Sequence, residues 1–425
     1  MNFYLERSAF VALCIAFAIP FFAYYFFVKK FEGSLQTILL AGLLFRLIFL
    51  AGTPFLSQDF YRFIWDGTLI THGINPYEYL PDELIKNTNF QIPNKEILYN
   101  GMGSLSAAHY SNYPPLNQLL FALSALVGAG SQLLTCIALK LIIIGADIGI
   151  FFIGKRILQK LQLPEKYIAI YFLNPLIIVE GTGNIHFESV MVFFILLCIH
   201  ALLHKNIWLA ALAFASAISV KLVPLMFLPL LLPYLRVKKA ISFYAICIAA
   251  CILFFIPFYT PIFLANYGAT VALWFTNFEF NASIYYIIRS IGFAITGYNV
   301  IHIVGVLLPL VTISFIAYKS LYKRQIFINT LMQNMLYAFT LYLFMSTTVH
   351  PWYIITLIGL SIFTQSKYVM VWSALAILSY SAYATEGFKE NFVLITAEYL
   401  IVFAMLIWEL FKELKNTSVQ KFKVK

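Results

Sequence analysis

Apolar stretches of roughly twenty residues recur along nearly the whole chain, and nothing constrains its fold more. The first, residues 8 to 28, reads SAFVALCIAFAIPFFAYYFFV. Inside a bilayer every backbone N–H and C=O must be satisfied internally, so such runs form helices or belong to a closed barrel. A barrel strand would show about ten residues of alternating polarity. These runs are continuous, so the chain is expected to be an all-α polytopic membrane protein, with residues 1–425 forming one integral-membrane domain. Composition agrees: 62% of residues are hydrophobic and 11% charged, with 42 Phe and 27 Tyr, and the mean hydropathy is +0.85. A soluble fold of that composition would expose too much apolar surface. No small-residue cleavage site follows residues 8 to 28, which read as the first membrane helix rather than a leader. At about 20 residues per span, roughly 11 to 13 passes are expected. The stretch 116 to 153 leaves the total open: its Gly128-Ala129-Gly130-Ser131 suggests two passes, whereas the basic turn at 155 asks for one.

The formal charge of +10 lies in short turns and in the tail: Lys29 and Lys30, KRILQK from 155, RVKK from 236, YKSLYKR from 318 and the end from 411. Basic residues so placed are positive-inside signals, not a nucleic-acid face, and no nucleic-acid partner is expected. With Lys29 and Lys30 cytoplasmic, residues 57–115 fall on the extracytoplasmic side, as does MSTTVHPWY at 345 to 353. A multi-pass protein with an extracytoplasmic site, of the bacterial inner-membrane kind, is expected. All five cysteines lie in apolar segments and announce neither disulfides nor metal ligands; Cys247 and Cys251, one turn apart, read as small apolar fillers. Arg46 and Asp147, inside apolar segments, are expected to pair helix to helix. The prolines of 221 to 235 and of 254 to 263 predict kinked or broken segments, and non-helical backbone at membrane depth lines a cavity. EGTGNIH lacks the strand–helix context of a dinucleotide fingerprint, and no nucleotide-sugar domain is visible.

Polar chemistry first gathers in SQDFYRFIWDGTLITHGINPYEY, residues 57 to 79. Asp59, Arg62 and Asp66 fall at i, i+3 and i+7 and share one helical face, while Phe60, Ile64 and Trp65 are placed to dip into the membrane interface. Gly67 and Gly73 loosen the end of this helix, and Asn75-Pro76 turns the chain. A carboxylate at the water–lipid boundary suits proton abstraction from a hydroxyl. The residues alone leave a second reading open, in which the three charges merely pair with one another.

The same stretch resembles the first-loop signature of GT-C membrane glycosyltransferases, in particular the polyprenyl-phosphate-mannose-dependent α-mannosyltransferases. Four further blocks are similar to that family, in order: SNYPPLNQLLF at 111, NPLIIVEGTGNIHFES at 174, SVKLVPLMFLP at 219 and TTVHPWY at 347. The resemblance implies a GT-C bundle whose outer loop, residues 57–115, carries interfacial helices. It implies Asp59 as general base in an inverting displacement that moves mannose, or a related hexose, from polyprenyl phosphate to an extracytoplasmic, lipid-linked or glycan hydroxyl. Arg62, Lys221, Arg289 and His350 are the candidate cations for the lipid phosphate. Asp66, Asn75, Tyr113, Glu180, Asn184, His186, Glu188, Asn277, Asn281, Trp352 and Tyr353 are expected to line the cavity. Tyr61 stands where an Asp-x-Asp motif would need its second acid, so neither a metal nor another cofactor is expected.

Structural alternatives stand beside these roles. Lys221 is also placed to snorkel, Glu180, His186 and Glu188 to pair among themselves, and Trp352 to anchor at the interface. Residues 368 to 411 offer no evident chemistry and read as completing the bundle or touching the polyprenyl tail. A carrier or flippase of lipid-linked sugars is the alternative function: the same acids would then bind a headgroup without reacting.

Overall fold

The computed structural model of the chain describes residues 5, 7–322, 325–385 and 387–423. Among these the backbone is helical with no strand; a single isolated bridge joins Phe280 to Thr348. Five helices are long and apolar enough to cross a membrane: Phe10–Lys30, Gln132–Lys160, Val223–Phe258, Ile301–Tyr322 and Phe392–Lys415. A sixth is reached if Ile177–Gly183 and Glu188–Leu203, bent by 107° at their junction, count as one broken span. Six further apolar helices have 10–17 residues, among them Leu35–Ile48, Pro115–Gly128 and Ile207–Val220. Fourteen helical residues reach only about 21 Å. Helix length by itself therefore gives fewer full spans than apolar content suggested, because proline, glycine and polar residues cut several apolar runs short. The stretch from 115 to 160 is two helices, with the break at Ala129–Ser131, and Lys155, Arg156 and Lys160 lie in the last turns of the second.

The centre of the bundle is formed by Gln132–Lys160, Glu188–Leu203 and Ile207–Val220, whose Ala-rich faces, such as Ala210, Ala213 and Ala217, allow close approach. A buried polar cluster fastens the short helix Leu35–Ile48 to this centre. Arg46 Nε lies 2.7 Å from Asp147 Oδ2, and both side chains are fully buried. Its Nη1 donates to the carbonyls of Gly42 and Phe172, and Asp147 Oδ1 accepts from the Tyr171 hydroxyl at 2.7 Å. Lys140, also buried, donates to the carbonyls of Phe49 and Gly52 and so closes the C-terminus of the same helix. The expected Arg46–Asp147 pairing is thus what the structure holds. The free Cys247 and Cys251 sit in the Leu228–Phe255 helix without a metal-binding group around them, among the described residues.

The outer segment differs from expectation in one respect. Its helix Asp59–Thr71 does not rest on lipid: Phe60, Ile64 and Trp65 are buried in protein. The cause is close packing against Pro115–Gly128. A Cβ on Gly67 would come within 2.4 Å of the Phe121 carbonyl oxygen, so glycine lets the two backbones meet, and Phe63 stacks on Phe121 at 4.6 Å. Gly67 therefore tightens the helix contact rather than loosening the end, and of the two glycines Gly73, just past the helix, is the one with positive φ. The proline-rich stretch breaks as expected: a 3-10 turn spans Val223–Phe227, and Arg236, at φ +62°, interrupts the helix that follows.

One buried pair offers a test of the packing. Removing one member strands a charge in the bundle, so Asp147→Leu is expected to cost about 3–5 kcal/mol. Arg46→Met combined with Asp147→Leu is expected to recover much of that loss in thermal unfolding of the detergent-solubilised protein. Equal destabilisation by the single and double variants would rule out the stranded charge as the cause.

Candidate active site

A cleft of about 430 Å³ opens at one end of the bundle, lined by the start of the Asp59–Thr71 helix, by residues 105–117, by the break near 186, and by 221–223, 270–280 and 345–353. The turn bearing Arg236, which bonds Gln325, lies at the opposite end: the 18-residue helix Ile328–Met345 runs from beside Gln325 to Ser346, which lines the cleft.

Asp59 occupies the first turn of its helix, where unpaired N–H groups favour an anion. Its side chain is 37% exposed, towards the cleft, and its Oδ2 lies 3.7 Å from His186 Nε2. Nδ1 of that ring is 2.9 Å from the Glu180 carbonyl oxygen, which can only accept, so Nδ1 carries a proton. A neutral ring would then point its lone pair at the carboxylate; a second proton converts that contact into an ion pair. Desolvation in the cleft pushes the Asp59 carboxyl up, but His186, and after it Lys221, holds it below the usual carboxylate value. The Asp59 carboxylate is therefore ionised at neutral pH.

His186 reaches this position because the chain breaks there. Ile177–Gly183 is a π-helical turn, and Ile185 adopts φ +62°, which a β-branched residue rarely does. His186 then stacks on Trp352 at 3.7 Å, Trp352 on His350 at 4.3 Å, and His350 on Phe280 at 4.8 Å, a column of four rings along the wall. Trp352 is thus a spacer between two imidazoles rather than an interfacial anchor. Burial pulls the His350 imidazole well below its ordinary value, Asp59 only partly opposing this, so His350 is a neutral ring and not the cation expected.

Lys221, also in the cleft wall, contacts Glu188 Oε1 through Nζ, which lies 5.7 Å from the centre of the Tyr353 ring. Arg62 also lines the cleft, but its charge is held by Asp66 Oδ1 at 2.7 Å and by the carbonyls of Ser106 and His109. Asp66 is fully buried and also accepts from Ser111 and Gln118. Thus Arg62 and Asp66 pair with each other, whereas Asp59, on the same helix face, stays apart from both.

Of the residues expected at the cavity, Asp59, Arg62, Tyr113, His186, Glu188, Lys221, His350, Trp352 and Tyr353 line the cleft. The others do not. Glu180 lies beneath His186, bonded to Asn184 and to the Tyr380 hydroxyl. Asn75 braces its own turn and the Phe258 carbonyl. Asn277 ends a helix, exposed. Asn281 is buried against Glu398 and Glu390, and Arg289 is drawn to Glu279, its charge answered locally.

Several lining residues went unnoticed in the sequence. Arg7 lies 4.7 Å from the centre of the Tyr383 ring, with Nη2 3.4 Å from Gln58 Oε1. Tyr380 and Tyr383 come from the stretch that showed no chemistry, and Asn117 and Thr356 come from apolar helices. A lone arginine ahead of a membrane helix resembles an orienting charge, and a tyrosine in an aromatic-rich run carries no spacing signal.

Residues 4–236, more than half of the chain, match the family model described as Alpha-(1->6)-mannopyranosyltransferase, N-terminal domain, of the MptA_B family. The match includes Asp59, His186, Glu188 and Lys221, and ends before His350 and Trp352. No curated protein matches the chain.

The depressed Asp59 carboxyl depends on His186. The stabilisation it reflects is present above the ordinary carboxylate value, about 3.9, and is lost as pH falls through the lower folded value. His186→Gln is expected to move the Asp59 midpoint upward, read from the infrared carbonyl band that Asp59→Asn abolishes. An unmoved midpoint would disprove the coupling.

Proposed function

The chain belongs to the alpha-(1->6)-mannopyranosyltransferase family, and from that membership and the cleft we propose that it transfers mannose from a polyprenyl-phosphate donor to a hydroxyl of a lipid-linked or glycan acceptor. The observation that carries this reading is the ionised carboxylate of Asp59, open to a cleft that Lys221 also lines. In the proposed step Asp59 accepts the proton of the acceptor hydroxyl as that oxygen attacks the anomeric carbon. The bond from the anomeric carbon to the phosphate oxygen breaks on the opposite face, and its electron pair leaves with the lipid phosphate. Lys221 exchanges Glu188 for the phosphate and offsets the charge gained there. Asp59 then returns its proton to water. Displacement with inversion gives the alpha linkage of the family description only from a beta-linked donor.

The apolar part of the wall supports a lipid-borne donor: Val271, Leu273, Phe339 and Met345 lie beside the polar groups, where a polyprenyl chain can leave the cleft. The cleft opens opposite the turn that carries Arg236, which by the positive-inside rule supports an extracytoplasmic site. The chemistry is proposed to run without a metal, since Asp59 and Lys221 answer for the proton and the leaving charge.

Purified protein given radiolabelled polyprenyl-phosphate mannose and a membrane lipid extract is expected to move label into the extract, with EDTA present or absent. Asp59→Asn is expected to lower the rate about a hundred- to ten-thousand-fold while donor binding survives. Undiminished transfer by that variant would remove Asp59 as the base. Donor binding without transfer by the wild type would point to a carrier instead, and EDTA-sensitive transfer would sink the metal-free mechanism.

A further inference from the structure

Buried polar atoms in folded proteins nearly always have partners, and those without one call for a reason. Besides His186, whose Nε2 faces Asp59 at 3.7 Å, three side chains in the cleft wall break the rule together. Asn117, on the Pro115–Gly128 helix, is fully buried, yet neither its Nδ2 nor its Oδ1 has a hydrogen-bond partner among the described residues. Thr356 Oγ1, on the helix Ile354–Thr364, and Glu188 Oε2, at the head of Glu188–Leu203, are unpartnered in the same way. All three residues line the one cleft, although they come from three different helices. Gln118, the immediate neighbour of Asn117, is anchored through Nε2 to Asp66 and Ser111; its Oε1 has no partner among the described residues, but it does not line the cleft.

The chemistry of the three groups narrows what completes them. A carboxamide offers two donors and an acceptor, a threonine hydroxyl both roles, and a carboxylate acceptors only. Phosphate oxygens satisfy none of the acceptors, while an alkyl chain satisfies nothing. A ligand with several hydroxyls, each both donor and acceptor, can satisfy all three at once. We infer that Asn117, Thr356 and the free oxygen of Glu188 form the wall that reads the hydroxyls of the transferred sugar, with Asn117 as its specificity-determining residue. This rests on reading the cleft as a sugar-transfer site. Leaving an amide unpaired away from water costs stability, a cost that function explains and packing does not.

The test uses the full-length protein in detergent, with polyprenyl-phosphate mannose and the sugar-free polyprenyl phosphate as probes. In the wild type the mannosyl lipid is expected to raise the melting temperature more than the bare lipid phosphate does. In Asn117→Leu that difference is expected to vanish and kcat/KM to fall about ten- to a hundredfold. The melting temperature of the ligand-free variant is expected to match or exceed that of the wild type, which a structural asparagine would not permit. Thr356→Val, nearly isosteric, is expected to lose about five- to tenfold by the same loss of a hydroxyl contact, and decides the matter if Asn117→Leu does not fold. Wild-type kinetics in the variants, or no sugar-dependent shift in the wild type, would overturn the inference. A sugar-dependent shift that the variants abolish, in a protein that transfers nothing, would uphold it and remove only the transferase reading.

Discussion

An ionised side chain among apolar helices is stable only against a partner, because neither lipid nor packed protein solvates it. That constraint organises this molecule. Arg46 is answered by Asp147, Arg62 by Asp66, Lys221 by Glu188 and Arg289 by Glu279. Each pair also ties two segments together or braces one: the first holds a short helix to the centre, and the second sets the outer helix against the loop at 106–111. Asp59 departs from the pattern. Its contact is a histidine at 3.7 Å, and a third of its side chain faces open volume. A carboxylate kept ionised but loosely held is one a substrate proton can reach.

The loose contact is made possible by rigid surroundings. His186 is fixed from three directions: Glu180 through a backbone carbonyl, Trp352 through ring stacking, and the chain itself through the break after a π-helical turn. Local backbone strain such as that at Ile185 persists only where neighbours over-determine it, and it collects at sites of function. Beneath, the buried Glu180 is bonded to Tyr380 and Asn184, so the layer under the histidine is itself fixed.

The sequence determined the class of fold and the order of the parts, because both are local properties. Length and continuity of apolar runs force helices in lipid, and proline and glycine fix where these end. The blocks around Asp59, Tyr113, His186, Lys221 and His350 were legible because residue type and order along the chain survive in sequence, and each of those five residues reaches the cleft. The pairing of Arg46 with Asp147 was legible for the same reason that the constraint exists: two lone charges in apolar runs need each other.

What only the tertiary structure decided is which charge meets which, and which side chain is left unmet. Asp59, Arg62 and Asp66 share a helix face, yet Ser111 and Gln118, brought in from the following segment, help hold Asp66, and Arg62 follows it. Arg289 carries the same charge as Lys221, yet turns to Glu279 outside the cleft. Burial between two aromatic rings keeps the His350 imidazole neutral, and Asn117, one more polar residue at the start of an apolar helix, becomes a buried amide without a partner among the described residues. Pairing depends on distances between segments far apart in sequence, and the free energy of a charge depends on the dielectric around it; neither quantity exists until the helices have packed.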